Sequence, residues 1–245
     1  MTRALPPGLS RRLRRGASVA AAGVAVLTLA GCSDDDGSVA EGASPEEVLT
    51  LAKETLDETT GVQITLEADD LSSDVAAGIR KATGVGVHPP AFEGEFDLSV
   101  NGIPATAEVI AVGGTVYARN SLLIPDWTAI DPGQYGAPDP GELMSDDAGF
   151  STLLTDTTEV EERGEVRGGE ANDEIYTQYT GTVPGETVAN IVPSASGDFA
   201  ASYTISEDGE LREAQLTGVF YKNDGEMTYT IRFSEYGTEQ DITAP

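Results

Sequence analysis

Between Phe92 and Val100 the chain alternates at a two-residue period. Phe92, Phe96, Leu98 and Val100 fall on one face and Glu93, Glu95, Asp97 and Ser99 on the other, with Gly94 the one gap in the apolar row. That period marks a strand with one face in a core and one in water. Asn101-Gly102 follows, and both residues tolerate the positive φ of a tight hairpin. Ala105–Val112 returns as a second strand, Gly113-Gly114 turns the chain again, and Thr115–Arg119 supplies a third. Strands joined by two-residue turns pair antiparallel. This meander commits the chain to a β-rich fold.

The rest of the sequence extends the pattern. Ser44-Pro45-Glu46-Glu47 is a helix start: Ser44 caps, Pro45 suits the first turn and Glu47 closes a capping box. Val48, Leu49, Ala52 and Leu56 give a helical stripe through about Thr59, which Gly61 breaks. Val62, Ile64 and Leu66 alternate with Gln63, Thr65 and Glu67 as a half-buried strand. Asp69–Pro90 is less regular, and Gly84-Val85-Gly86-Val87 with Pro89-Pro90 reads as a loop or broken edge. Leu122–Gly149 reads as a long connection holding the only Trp, Trp127, and four prolines. Short helical pieces are expected at Pro140–Met144 and Phe150–Leu154.

Further strands are expected over Glu159–Arg167, Ile175–Val183, Asp198–Ser206, Leu211–Tyr221 and Met227–Phe233. Turns fall at Glu207-Asp208-Gly209-Glu210 and Lys222–Glu226, and a short helix runs from Pro184 to about Ile191. Roughly nine strands and three or four separate helices make an α+β fold with an antiparallel sheet. Ala200, Ala201, Ala214, Thr217 and Gly218 are small for core positions. On a curved sheet they leave room for a lipid-sized cavity, and a modest core packed by helices accounts for them equally.

The N-terminus has a separate job. Arg3, Arg11, Arg12, Arg14 and Arg15 precede Ala17–Ala30, fourteen residues without a charge. That is short of the ~20 residues a spanning helix needs and fits a secretory signal. Leu29-Ala30-Gly31-Cys32 then resembles the lipobox of bacterial lipoproteins, in which the Cys thiol receives a diacylglyceryl group before cleavage ahead of it. Ser10-Arg11-Arg12 loosely resembles a twin-arginine start and Leu13-Arg14-Arg15 departs from it, so Sec and Tat export both stay open. The expected organisation is a signal peptide at 1–31, an acylated Cys with a flexible acidic tether at 32–43, and a folded body at 44–245. The protein is expected to be exported and lipid-anchored to the outer face of the cell membrane. The run Asp34-Asp35-Asp36 lacks the alternate spacing of a calcium loop and reads as solvated tether.

Charge and chemistry exclude several function classes. The whole chain carries 14 basic and 42 acidic residues, a net charge of −28. Losing 1–31 removes five basic residues and no acidic one, leaving 9 against 42 and a body near −33. Such a surface repels phosphates, so no nucleic-acid partner is expected. One Cys rules out a disulfide framework and a multi-thiolate zinc site, and no metal or cofactor is expected. The only His, His88, sits in Val87-His88-Pro89-Pro90 with no local nucleophile and reads as a surface-loop residue. There is no G-x-S-x-G elbow, S-x-x-K motif or P-loop, and Gly84-Val85-Gly86 lacks the third glycine and the helix of a dinucleotide loop. Acid pairs such as Glu93/Glu95 are expected by number alone in so acidic a chain. No catalytic residue is assigned.

Several motifs, in order, resemble the LppX/LprA/LprF/LprG family of actinobacterial lipoproteins. They are the Cys32 lipobox, the capped helix from Ser44, the Asn101-Gly102 hairpin and Val116-Tyr117-Ala118. Trp127-Thr128-Ala129-Ile130-Asp131-Pro132, Pro138-Asp139-Pro140 and Gly149-Phe150-Ser151-Thr152-Leu153-Leu154 follow. The series ends with Ser234-Glu235-Tyr236-Gly237 and Ile242-Thr243-Ala244-Pro245. The resemblance implies a curved antiparallel half-barrel with helices on its concave side and a large apolar cavity between them.

It further implies that the cavity takes the acyl chains of di- or triacylated lipids or glycolipids, carried toward the outer envelope, with a major-facilitator transporter as a possible partner. Strand alternation nominates Leu66, Phe96, Leu98, Val100, Val109 and Val112 as the cavity lining, with Phe150 and Leu154 on a helical lid. The competing reading is a lipid-anchored scaffold or regulatory subunit of an envelope complex that carries no lipid.

Overall fold

The computed structural model describes residues 42–69, 71–72, 75–135, 137–169, 171–222 and 225–245. The signal segment, Cys32 and all of the tether but its last two residues lie outside them.

Two antiparallel meanders build one open, curved sheet. The first comprises β1 (Gly61–Asp69), β2 (Ala77–Val87), β3 (Ala91–Val100), β4 (Ile103–Val112), β5 (Thr115–Asn120) and β6 (Ile124–Ile130). The second comprises β7 (Thr158–Gly168), β8 (Glu174–Pro184), β9 (Ser196–Ser206), β10 (Leu211–Val219) and β11 (Met227–Ser234). The order β6-β5-β4-β3-β2-β1-β11-β10-β9-β8-β7 joins them through β1 and β11, the one pairing between strands distant in sequence. Asn101 and Gly102 adopt φ 49° and 75°, and Gly113 and Gly114 adopt 60° and 71°, so both expected hairpins close through left-handed residues.

Helices α1 (Pro45–Glu58), α2 (Thr152–Asp156) and α3 (Gly185–Ile191) cover the concave face. In α1 the Glu47 N–H donates to Ser44 Oγ at 3.3 Å and the Ser44 N–H to Glu47 Oε2 at 2.7 Å, completing the capping box. Val48, Leu49, Ala52 and Leu56 are the buried stripe. Replacing Ser44 with Ala should cost about 1 kcal/mol and lower Tm by about 2–4 °C, while Ser44→Gly costs only a few tenths of a kcal/mol. Thermal denaturation of the two variants checks this.

The structure corrects the sequence reading in two places and decides a third that was left open. The stretch Gly84–Val87 is the end of β2, a central strand paired on both sides. Its glycines look like breakers, but packing requires them: a Cβ on Gly84 would lie 2.5 Å from Glu93 O and 2.8 Å from Gly94 Cα. Residues 124–130, read as connection, form β6; as an edge strand it shows no clean alternation, and it tolerates Pro125. Of the two roles open to the small residues of β9 and β10, the packed core holds on the concave face. Phe199 packs onto Gly218, and Ala201 and Ala214 are buried in a filled core with Tyr203 and Leu216. Ala200 and Thr217 belong to the opposite face, because neighbouring residues in a strand point apart.

Candidate functional site

The concave face of the first meander differs from that of the second. Hydrogen-bonded register aligns Ile64, Gly84, Gly94, Val109 and Ala118 in one row across five strands. The next row is Leu66, Ala82, Phe96 and Ala107. More than half of these inward positions are Gly or Ala, so the sheet forms a low floor. The Phe92 ring lies over the glycine pair, with its Cζ 2.4 Å and 2.7 Å from where Cβ atoms on Gly84 and Gly94 would stand.

The segment between β6 and α2 is the roof. Pro132, Pro138, Pro140, Leu143 and Phe150 face the floor. Proline has no amide hydrogen to leave unsatisfied against an apolar space. Within the roof, the Gly141 N–H donates to Asp139 Oδ1 at 2.8 Å and the Phe150 N–H to Leu143 O at 2.9 Å, and Lys53 of α1 ties its far end through Nζ to Asp146 O at 2.8 Å. Phe150 also meets Phe233 edge-on, with ring centroids 5.8 Å apart. The cavity between floor and roof measures about 190 Å³.

Polar groups are few on this wall. Ser99, Tyr221 and Tyr229 are the lining residues with hydroxyls, and none of the described lining residues is charged. Tyr229 OH donates to Ile79 O at 2.8 Å and lies 2.7 Å from Tyr221 OH. Burial is the main reason that the Tyr229 phenol is held protonated far above its usual range. Such a chamber offers shape and apolar contact with a hydrogen-bonding spot at one side, and no group suited to proton transfer at neutral pH.

Of the eight nominated residues, the structure brings Leu66, Phe96, Leu98, Val100, Val109 and Phe150 together on the cavity wall. Val112 is a correction. It stands three residues after Val109 on one strand, so it points to the convex face, where it packs beside Val87, Ala91 and Ile110 under Ile242. Leu154 is a second correction: it is buried in the helix–sheet core and does not reach the cavity. The sequence reading missed Ile191, Val192 and the Tyr221–Tyr229 pair, none of which carries a local signal. It also missed the Gly/Ala floor, whose signal is legible once the register of β2 with β3 is known.

His88 is partly buried rather than a free loop residue. Its Nδ1 lies 2.8 Å from Thr59 O and its Nε2 3.7 Å from an Asp146 carboxylate oxygen. Among the described residues no group of three or more His, Cys, Asp or Glu side chains could hold a metal ion, and no helix is long and apolar enough to cross a membrane.

Known proteins are similar to this chain in sequence and in fold. The lipoarabinomannan carrier protein LprG of Mycobacterium tuberculosis is 24% identical over 244 residues, covering 96% of this chain and 97% of its own. The crystal structure of LprF from Mycobacterium bovis superposes with a TM-score of 0.66 at 14% identity, covering 82% of this chain and 96% of that one. The crystal structure of the Mycobacterium tuberculosis lipoprotein LppX gives 0.58 at 18% identity, covering 81% and 98%. The model of the LppX_LprAFG lipoprotein family matches residues 44–243, nearly all of the folded body, and the chain belongs to that family.

Proposed function

We propose that the protein is an exported lipoprotein that binds acylated lipids or glycolipids in this cavity and carries them across the periplasmic space toward the outer envelope. A diacylglyceryl group on Cys32 anchors it to the outer face of the cell membrane. The observation that carries this reading is a chamber whose described lining residues carry no charge, in a chain with 42 acidic residues. Acyl chains are its natural occupant. Each methylene moved out of water contributes about 0.8 kcal/mol, so ten of them supply a gross ~8 kcal/mol, the scale of a micromolar Kd. The name of the LprG relatives, lipoarabinomannan carrier protein, points the same way.

The cavity of about 190 Å³ is smaller than the ~300–1,000 Å³ usual for a ligand pocket. Loading two chains therefore requires one wall to retreat. The floor is tied by strand pairing and cannot. The roof is two short 3-10 turns, Pro132–Tyr135 and Glu142–Met144, with no strand pairing. Its tie to α1, Lys53 Nζ donating to Asp146 O at 2.8 Å and to Ser151 Oγ at 3.3 Å, lies beyond both turns, and the roof is the wall that moves. A major-facilitator transporter that releases lipid at the membrane is the partner the family resemblance implies.

Native mass spectrometry of the Cys32→Ser chain, which has no acylation site, tests this. The expected spectrum shows added mass matching two- or three-chain lipids. A protein that is repeatedly empty when purified from its own envelope contradicts the carrier and leaves the scaffold reading.

A further inference from the structure

Five large apolar side chains are exposed among the described residues: Val100, Ile103, Leu122, Leu123 and Ile175. Four of them occupy one end of the sheet, on two neighbouring hairpins. Val100 and Ile103 flank the Asn101-Gly102 turn and pair with each other. The register Glu108 to Arg119 sets the turn between β5 and β6 beside the first residues of β4. Asn120 Nδ2 donates to Thr106 O and ties the two hairpins together. Ile103 is 68% exposed, Leu122 88% and Leu123 80%. A leucine-sized side chain left in water forgoes the gain of burial, so a cluster of them signals a surface that is covered at work.

Three features say what covers it. The stretches 98–107 and 120–125 contain no charged residue, in a chain where acids outnumber bases three to one. Such tips meet an anionic or zwitterionic surface without the repulsion the rest of the body brings. Their backbone is also prepared for an apolar medium. Asn120 Oδ1 accepts from the N–H of Leu122 at 2.9 Å and of Leu123 at 3.0 Å, the Asn101 N–H donates to Ala76 O at 2.8 Å, and Pro104 and Pro125 have no N–H. Unsatisfied amides are what bar irregular backbone from lipid. Finally, Val100 belongs both to this end and to the cavity wall, so the tips continue the chamber outward. Asp69 closes β1 at the same end, two strands from β3, which limits the contact to the projecting tips.

We propose that the Asn101-Gly102 and Ser121–Leu123 hairpin tips are the face this protein sets against a lipid bilayer, with Leu122 and Leu123 entering the interfacial zone so that the cavity mouth opens onto it. The purpose of that docking rests on the carrier reading, and the insertion is measured independently of it. With Trp127 replaced by Phe, single tryptophans are introduced as Leu122→Trp, Ile103→Trp or, at the opposite end of the strands, Ile175→Trp. Each full-length chain is reconstituted into phosphatidylcholine vesicles brominated on their acyl chains.

Emission at 122 and 103 is expected to fall about two-fold relative to unbrominated vesicles, with 175 unchanged. The same loss at all three positions, or none at 122 and 103, overturns the proposal. The double variant Leu122→Gln/Leu123→Gln is expected to slow lipid transfer between vesicles about ten-fold with lipid occupancy unchanged. An unaltered transfer rate overturns the proposal. Quenching at 122 in a protein that holds no lipid supports the docking face and contradicts the carrier reading instead.

Discussion

Ala107→Trp is expected to empty the protein of lipid and leave it folded. Ala107 pairs with Phe96 on the cavity floor, and nothing but a methyl group projects there. An indole at that point fills space an acyl chain needs. Excluding four methylenes removes about 3 kcal/mol of burial, roughly a two-hundred-fold loss of affinity. Overpacking a dense core costs about 1–3 kcal/mol, but here the new ring meets a void and the cost lies at the low end. Lipid occupancy by mass spectrometry should fall to background while Tm changes by no more than a few degrees. Leu98→Trp, one step nearer the mouth, should act similarly. At Val100 the ring can turn toward solvent, because that residue is already 40% exposed, and the block should be weaker.

The largest stability effect belongs to the floor glycines. A Cβ on Gly84 would stand 2.4 Å from Phe92 Cζ, 2.5 Å from Glu93 O and 2.8 Å from Gly94 Cα. Two of those neighbours are backbone atoms of a paired strand and cannot step aside. Gly84→Val should cost about 3 kcal/mol or more, near 10 °C in Tm. Gly86 is the control. Its Cβ would meet Met144 Cγ and Sδ at 2.6 Å, and a flexible thioether side chain can move. Gly86→Ala should therefore be clearly milder than Gly84→Ala in the same melting experiment. Equal losses would mean that the floor is not held by close strand contact.

These glycines also show where reading the sequence stops. Helix α1, the hairpins at Asn101-Gly102 and Gly113-Gly114, and most strands were legible because cap residues, turn residues and alternation act locally. Strand β2 was not, because Gly84 and Gly86 look like breakers until their neighbours across the sheet are known. Strand β6 was not, because an edge strand buries neither face well enough to alternate. Val112 was assigned to the cavity beside Val109, although an odd spacing puts the two on opposite faces. The small residues of β9 and β10 fit space or a packed core equally until Phe199 is seen on Gly218, whereas the real hollow lies over Ala82, Ala107 and Ala118. Composition at a strand position reports free volume only when the residues across from it are also known.

The exposed tips follow the same logic. Leu122 and Leu123 lay within what read as a connection, and their meaning depends on the register that sets them beside Ile103. The absence of charge from both turns was visible in the sequence. Their adjacency was not.

In the proposed carrier, acyl chains lie on the β2–β5 floor under the proline-rich roof. A lipid with a photoreactive group on its acyl chain, loaded into the full-length protein and cross-linked, reports this directly. Adducts should concentrate on inward residues of β3 and β4, with Phe96, Leu98 and Val109 foremost. Adducts confined to the convex face, or to the filled core around Phe199 and Tyr203, would contradict it.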